Sequence, residues 1–102
     1  MPKFNEISKK GLAGFFVDAS LAPDRISLHI SQIEPGTSSH PPHTHAGVEA
    51  FYVLEGSGAV ELEGETIAIS ANQAVAVDPA RLHGLSNTGS VPMKYLVIIA
   101  KP

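Results

Sequence analysis

Apolar and polar residues alternate with a period of two along most of the chain, and turn-forming residues interrupt this alternation at short intervals. The period is typical of β-strands, in which successive side chains point to opposite faces. No segment has the 3.6-residue period of an amphipathic helix. Many short strands at close spacing predict an all-β sandwich or barrel. The predicted strands are residues 25–30, 48–54, 59–62, 66–69, 74–77, 82–86 and 93–100, with a further edge strand at 12–17.

Two of these strands carry apolar residues at positions that predict how they pack. In residues 48–54, Phe51 and Val53 have the same parity as Glu49, so we expect all three to face the barrel interior. Residues 93–100 are apolar on both faces. One of these faces is expected to pack inside the barrel and the other against a second sheet or a second subunit. A homodimer is therefore expected.

Composition narrows the class of protein. The chain has 102 residues, of which 43% are hydrophobic and 17% charged, which predicts one domain spanning 1–102 with a packed core. A net charge of −3 without a basic stripe argues against a nucleic-acid or membrane-surface binder. There is no export-type apolar segment and no run near the ~18 apolar residues of a membrane span, so a cytoplasmic protein is expected.

The chain has no Cys and five His, and this imbalance points to a particular kind of chemistry. Disulfides, thiolate zinc sites and cysteine nucleophiles are excluded. His43 and His45 form a His-x-His pair, which on an extended strand places both imidazoles on one face about 6.6 Å apart. Glu49 lies four residues further on, and His83 could join from a neighbouring strand. This combination predicts a metal site.

The same residues carry a resemblance to a known family. The run His43-x-His45-x3-Glu49-x6-Gly56 resembles the first motif of the cupin superfamily, and residues 79–87 resemble its second motif. The phrase at residues 51–58 is also typical of small single-domain cupins. The resemblance implies a cupin-type double-stranded β-helix, or jelly-roll barrel, with the site motifs at 36–56 and 79–87.

For the site, the resemblance implies that His43, His45, Glu49 and His83 form a 3-His-1-Glu ligand set for one divalent transition metal. Imidazole and carboxylate ligands suit Mn, Fe, Ni, Zn or Cu, and the spacing does not distinguish among them. Four protein ligands leave open positions for water, dioxygen or a chelating substrate. The second motif departs from the family pattern, because it is one residue short and has Arg81 where Gly is usual.

Three further residues are considered for roles at or near the predicted site, and two of them have two readings each. His40 is a candidate acid/base or extra ligand, with a place in a loop at the barrel mouth as the alternative. Arg81 is a candidate catalytic or substrate-binding cation for a carboxylate, with a solvated loop Arg as the alternative. His29 lies on the polar face of its strand and is expected at the surface or rim.

The resemblance implies a metal-dependent enzyme that acts on a small organic substrate. Oxygenase chemistry is the first candidate, and isomerase, cyclase or decarboxylase chemistry would also suit a Lewis-acid site. The alternative is a non-catalytic module that binds or senses a small molecule. A structural subunit that uses the barrel only for association is a third reading, which leaves the ligand set unexplained.

Overall fold

The computed structural model describes residues 3–39 and 44–102, and its regular elements there are all β-strands. This finding confirms the all-β prediction. The strands are β1 (Phe4–Ile7), β2 (Phe15–Asp18), β3 (Ile26–Ile33), β4 (Val48–Glu55), β5 (Ser57–Leu62), β6 (Glu65–Ser70), β7 (Ala74–Val77), β8 (His83–Ser86) and β9 (Met93–Ala100).

The strands form two main antiparallel sheets. One has the order β3-β9-β4-β7 and the other β6-β5-β8. From β4 to β9 the chain repeatedly moves from one sheet to the other, which is the connectivity of a jelly roll. A tight turn at Glu63-Gly64 joins β5 to β6, and both of its residues have positive φ angles. This turn sets the β5–β6 register.

The core lies between the two sheets. Phe51 and Val53 of β4 are buried, which confirms the parity predicted for that strand. They meet β9 side chains of the same parity, and the rings of Phe51 and Tyr95 pack edge to face with their centroids 6.4 Å apart. The buried cluster consists of Ile33, Phe51, Val53, Val60, Ile69, Val77, Leu85, Met93, Tyr95 and Val97.

The orientation of β3 differs from the prediction for His29. Ile33 is buried in the core, and because side chains alternate, Ser31 and His29 turn to the same inner side of the sheet. The placement of His29 at the surface or rim was therefore wrong: its half-buried ring helps line a cavity. The apolar face of β3 points outward instead, where it continues the apolar outer face of β9 across paired positions such as Leu28 and Ile98.

The first two strands form a separate hairpin. β1 pairs with β2 in a two-stranded sheet, and Phe4 and Phe16 on this hairpin are more than half exposed. The sequence predicted an edge strand near β2 but not β1. In β1 no side chain is fully buried, so its sequence carries no clear inward-outward alternation. Within residues 3–39 and 44–102, no helix has the length and apolar character needed to cross a membrane.

Candidate metal centre

Three residues that are distant in sequence converge at one end of the barrel. Glu49 is the second residue of β4 and is 4% exposed, while His83 is the first residue of β8 and is fully buried. His45 lies in the segment before β4, with its side chain 28% exposed. One ligand atom from each residue lies within 4.8 Å of the others. Three of the four residues implied as ligands are thus brought together.

The two imidazoles approach the same carboxylate oxygen. His45 Nε2 lies 2.6 Å from Glu49 Oε1, and His83 Nε2 lies 3.1 Å from that atom. The two rings are steeply inclined to each other, at 72°, with centroids 5.1 Å apart. Their Nε2 atoms therefore reach one point from different directions, as ligands of a single ion do.

The opposite nitrogen of each ring contacts a backbone carbonyl. His83 Nδ1 lies 2.9 Å from the Arg81 carbonyl oxygen, and His45 Nδ1 lies 3.2 Å from that of Ala46. A carbonyl oxygen only accepts hydrogen bonds, so both contacts favour the tautomer in which Nδ1 carries the proton. In the neutral tautomer this arrangement leaves the Nε2 lone pair directed at Glu49. A second contact of this kind is what orients and strengthens metal-ligating histidines.

The chemistry of these donors fits a divalent transition metal. Two Nε2 lone pairs and one carboxylate oxygen repel each other at these distances unless a proton or a cation lies among them. Imidazole nitrogen and carboxylate oxygen are also the donor types that Mn, Fe, Ni, Cu and Zn share. His45, Glu49 and His83 would hold such an ion, each through one atom.

Backbone contacts tie the two predicted motifs together around this point. The His45 N–H donates to the Pro79 carbonyl oxygen over 2.8 Å, so the segment before β4 is fixed to the segment before β8. Glu49 lies opposite Val77 in the β4–β7 ladder. The position of His83 relative to the other ligands is therefore set by the β4–β7 pairing and by the hydrogen bond between the two loops. This holds although the second motif is one residue shorter than the family pattern.

Gly47 lies between His45 and Glu49 and allows the chain to pass close to the end of β9. Its φ angle is +108°, and a Cβ atom there would overlap the Ala100 carbonyl oxygen. We expect Gly47→Ala to lower the free energy of unfolding by about 2–4 kcal/mol, through backbone strain and steric overlap, and to weaken metal binding. Thermal or urea unfolding with a metal titration measures both effects.

Gly64 provides the matched control for this substitution. Its φ angle is +83°, but a Cβ atom there would have no neighbour within 4 Å. Gly64→Ala should therefore cost only the backbone strain, about 1 kcal/mol, and leave metal affinity unchanged. Equal losses of stability in Gly47→Ala and Gly64→Ala would show that the close approach of Gly47 to the Ala100 carbonyl oxygen is not what makes this position sensitive.

A cavity of about 190 Å³ extends from Glu49 between strands β3, β4 and β9. Burial raises the pKa of the Tyr95 hydroxyl, while the Ser31 and Ser39 side chains that line the same cavity act in the opposite direction. Burial lowers the pKa of His29, with Lys10 acting in the same direction and Glu49 opposing it. The lining residues are His29, Ser31, Ser39, Glu49, Phe51, Tyr95, Val97 and Ile99.

The other candidate residues have different positions. The Arg81 guanidinium is about half exposed and pairs with Glu63, with Nε 2.9 Å from Oε1, so that only the Arg81 carbonyl contacts a ligand. This ion pair raises the pKa of Arg81. The substrate-binding role of Arg81 stays a prediction that this placement does not support. His40 and His43 lie outside the described residues.

His29 is the residue that the sequence analysis missed as part of the cavity. Polar and apolar residues alternate regularly along β3, but the alternation alone does not show which face points inward. Here the polar face is the inner one. The available signal was its parity with Ile33, which continues the same inner face three residues beyond the predicted end of the strand.

Comparisons with known proteins identify the family and match this fold. A family model described as "Cupin domain" matches residues 29–99. The oxalate-binding protein of Thermotoga maritima is 32% identical over 69 residues, covering 67% of this chain and 56% of that protein. Auxin-binding protein 1 of Arabidopsis thaliana is 31% identical over 86 residues, covering 76% and 43%. The chain spans about half the length of these curated relatives.

Solved structures agree over almost the whole chain. A cupin protein from Bacteroides fragilis superposes with a TM-score of 0.74 at 24% identity, covering 99% of this chain and 86% of that one. A protein from Thermotoga maritima described as a predicted oxalate decarboxylase gives a TM-score of 0.72 at 21% identity, covering 99% and 94%. At these identities the likeness establishes a shared jelly-roll fold.

Proposed function

This chain belongs to the cupin family, and on that premise we propose that it is a metal-dependent enzyme acting on a small organic acid. The observation that carries the proposal is the convergence of His45 Nε2, His83 Nε2 and Glu49 Oε1, with both Nδ1 atoms held by carbonyl oxygens. His43 is proposed as the fourth ligand from its place in the motif.

The size and lining of the cavity support a small substrate. Its volume of about 190 Å³ is below the roughly 300–1,000 Å³ of sites that accept drug-sized ligands. The ligand set opens directly into it through Glu49. An organic acid suits such a site because its oxygens chelate a metal ion, and the name of the oxalate-binding relative is consistent with this class.

A bound divalent ion would supply Lewis-acid polarisation of the substrate oxygens. The protein itself fixes the orientation of the metal ligands and limits the space beside them. The carbonyl contacts at Arg81 and Ala46 fix the His83 and His45 rings. The Phe51, Val97 and Ile99 side chains form an apolar wall that limits water beside the carboxylate of Glu49.

Oxygenase chemistry is the first reaction to test, and decarboxylation, isomerisation and cyclisation remain the other classes that suit this ligand set. The second candidate is a non-catalytic protein that binds a small acid through the metal. The specific observation in its favour is that the two named relatives at about 30% identity are both described as binding proteins.

The test begins with metal-free protein reloaded separately with Mn, Fe, Ni, Cu and Zn. We expect one equivalent of at least one metal to bind, and oxalate to bind only to the loaded protein in isothermal titration calorimetry. Turnover is then followed with and without dioxygen by oxygen consumption and carbon dioxide release. Oxalate bound and returned unchanged favours the binding protein, and failure to take up any metal overturns both candidates.

We further propose that two copies associate through the outer face of the β3-β9-β4-β7 sheet. This face has rows of apolar side chains at paired positions, such as Leu28, Ile98, Ala50 and Ala76, without a charged residue among them. Lys94 and Glu55 lie at its edge, as charges do around interface cores. A cytoplasmic location and the absence of nucleic-acid or membrane partners stay predictions from the sequence.

A further inference from the structure

The cavity beside the metal ligands has a second polar group opposite Glu49. In the β3–β9–β4 ladder, His29 lies opposite Val97, while Glu49 lies opposite Ile99. His29 and Glu49 are therefore two strands apart, about 10 Å across the sheet, and offset by about 7 Å along it. The cavity that both residues line spans this separation.

The His29 ring is placed to contact a ligand. It is half-buried, and among residues 3–39 and 44–102 the structure gives its nitrogens no hydrogen-bond partner. A half-buried imidazole with one donor and one acceptor nitrogen needs a partner, and a ligand or water in the cavity would supply it.

The charge of the lining limits what that ligand group is. Among the described lining residues there is no Lys or Arg, and Glu49 is the single carboxylate. Two cations act on His29, Lys10 and Lys9, and neither is among the lining residues; the Lys10 ammonium donates to the Ser31 hydroxyl over 3.0 Å. A second carboxylate at this end would meet no cation among the described lining residues, because the Lys10 ammonium already donates to Ser31, whereas a hydroxyl or carbonyl oxygen needs only a hydrogen bond.

We propose that His29 is a specificity-determining residue that hydrogen-bonds to an uncharged oxygen of the substrate, at the end remote from the metal ligands. This inference rests on the proposed function and deepens it. The substrate class becomes small organic acids that chelate the metal through a carboxylate and carry a further hydroxyl or carbonyl oxygen a few bonds away.

The experiment uses pairs of acids that differ in one hydroxyl. Glycerate is compared with lactate, and 2,4-dihydroxybutanoate with 2-hydroxybutanoate, by calorimetric titration of the metal-loaded protein. In each pair both acids offer the same carboxylate and 2-hydroxyl to the metal. We expect at least one hydroxylated acid to bind about three- to tenfold more tightly than its partner, the effect of one neutral hydrogen bond.

His29→Leu should abolish this difference, while metal affinity and oxalate affinity change less than twofold. His29→Gln, which keeps a donor and an acceptor, should retain part of it. Ser27→Ala is the control, because Ser27 has the same parity on β3 but is not among the lining residues. It should leave the hydroxyl preference intact.

The outcomes separate this inference from the proposed function. If metal and oxalate bind but neither pair is discriminated, or if His29→Leu retains the preference, the role of His29 is overturned and the metal centre stands. If no metal binds, or if the loaded protein binds none of these acids, the proposed function fails and the inference fails with it. Metal loss in His29→Leu but not in Ser27→Ala would also overturn the specificity role.

Discussion

Glu49→Gln is expected to lower metal affinity by at least about a hundredfold, the largest effect of any single substitution at the site. Even outer groups that only orient metal ligands cost about 10- to 100-fold when they are changed, and Glu49 is itself a ligand and the only anion of the described set. The side-chain shape is kept. Competition with a chromogenic chelator measures the affinity.

The same variant should leave the metal-free protein at least as stable as the wild type. The Gln amide offers N–H donors to the Nε2 lone pairs of His45 and His83, where the carboxylate offers a further acceptor. In the wild type, saturating metal at about 100 times its dissociation constant should add about 2.7 kcal/mol of stability. For a chain of this length that corresponds to a rise in Tm of about 10 °C or more.

Glu63→Gln is the matched control, because Glu63 is a half-exposed carboxylate in an ion pair with Arg81. An exposed pair contributes about 0–1 kcal/mol, so this change should affect neither metal affinity nor Tm appreciably. Stoichiometric, tight metal binding by Glu49→Gln would contradict the ligand assignment. A loss of metal in Glu63→Gln would show that the ion pair on the surface matters for the site.

The part of the site that could be predicted from the sequence is the set of ligands that are recognisable by their spacing. His45 and Glu49 have the spacing of the motif, although His45 lies before the start of β4, and the fold then needs only to bring His83 alongside them. What spacing could not show is how each ring is aimed. The carbonyls of Ala46 and Arg81 that hold the Nδ1 atoms belong to the backbone, which every residue has, so they leave no mark in the sequence.

Arg81 and His29 show the limits of the same reasoning. Proximity to His83 in sequence suggested a substrate role for Arg81, but Arg81 lies in the turn before β8, where strand alternation does not apply, and its side chain meets Glu63 in the β5–β6 turn. For His29 the predicted alternation of side chains along the strand was correct, but the expected position at the surface or rim was not. His29 was expected at the surface or rim because it lies on the polar face of its strand, whereas an inner face that lines a ligand cavity is the polar exception.

The orientation of β3, with its polar face inward, affects how two copies of the chain can associate. With Ser31 and His29 turned inward, the aliphatic side chains of β3 add to the outer face of β9, and two apolar strands lie side by side on the surface. Ile98 lies near the centre of this face, between Leu28 and Ala50. Continuous apolar surface of this kind is what association sites on soluble proteins present.

Ile98→Lys is therefore expected to convert a wild-type dimer into a monomer, with the dimer dissociation constant raised by at least about a hundredfold. A two-fold interface repeats each substitution, so two unpaired charges enter the interface at a cost of several kcal/mol. Sedimentation equilibrium across protein concentrations measures the change.

Ile67→Lys is the matched control, because Ile67 is about half exposed on β6 in the other sheet. It should remain dimeric with unchanged metal content. A wild type that is monomeric at about 100 μM, or a dimeric Ile98→Lys, would contradict assembly through this face, since either result means that the charge-free rows across β3, β9, β4 and β7 are not what the second copy covers.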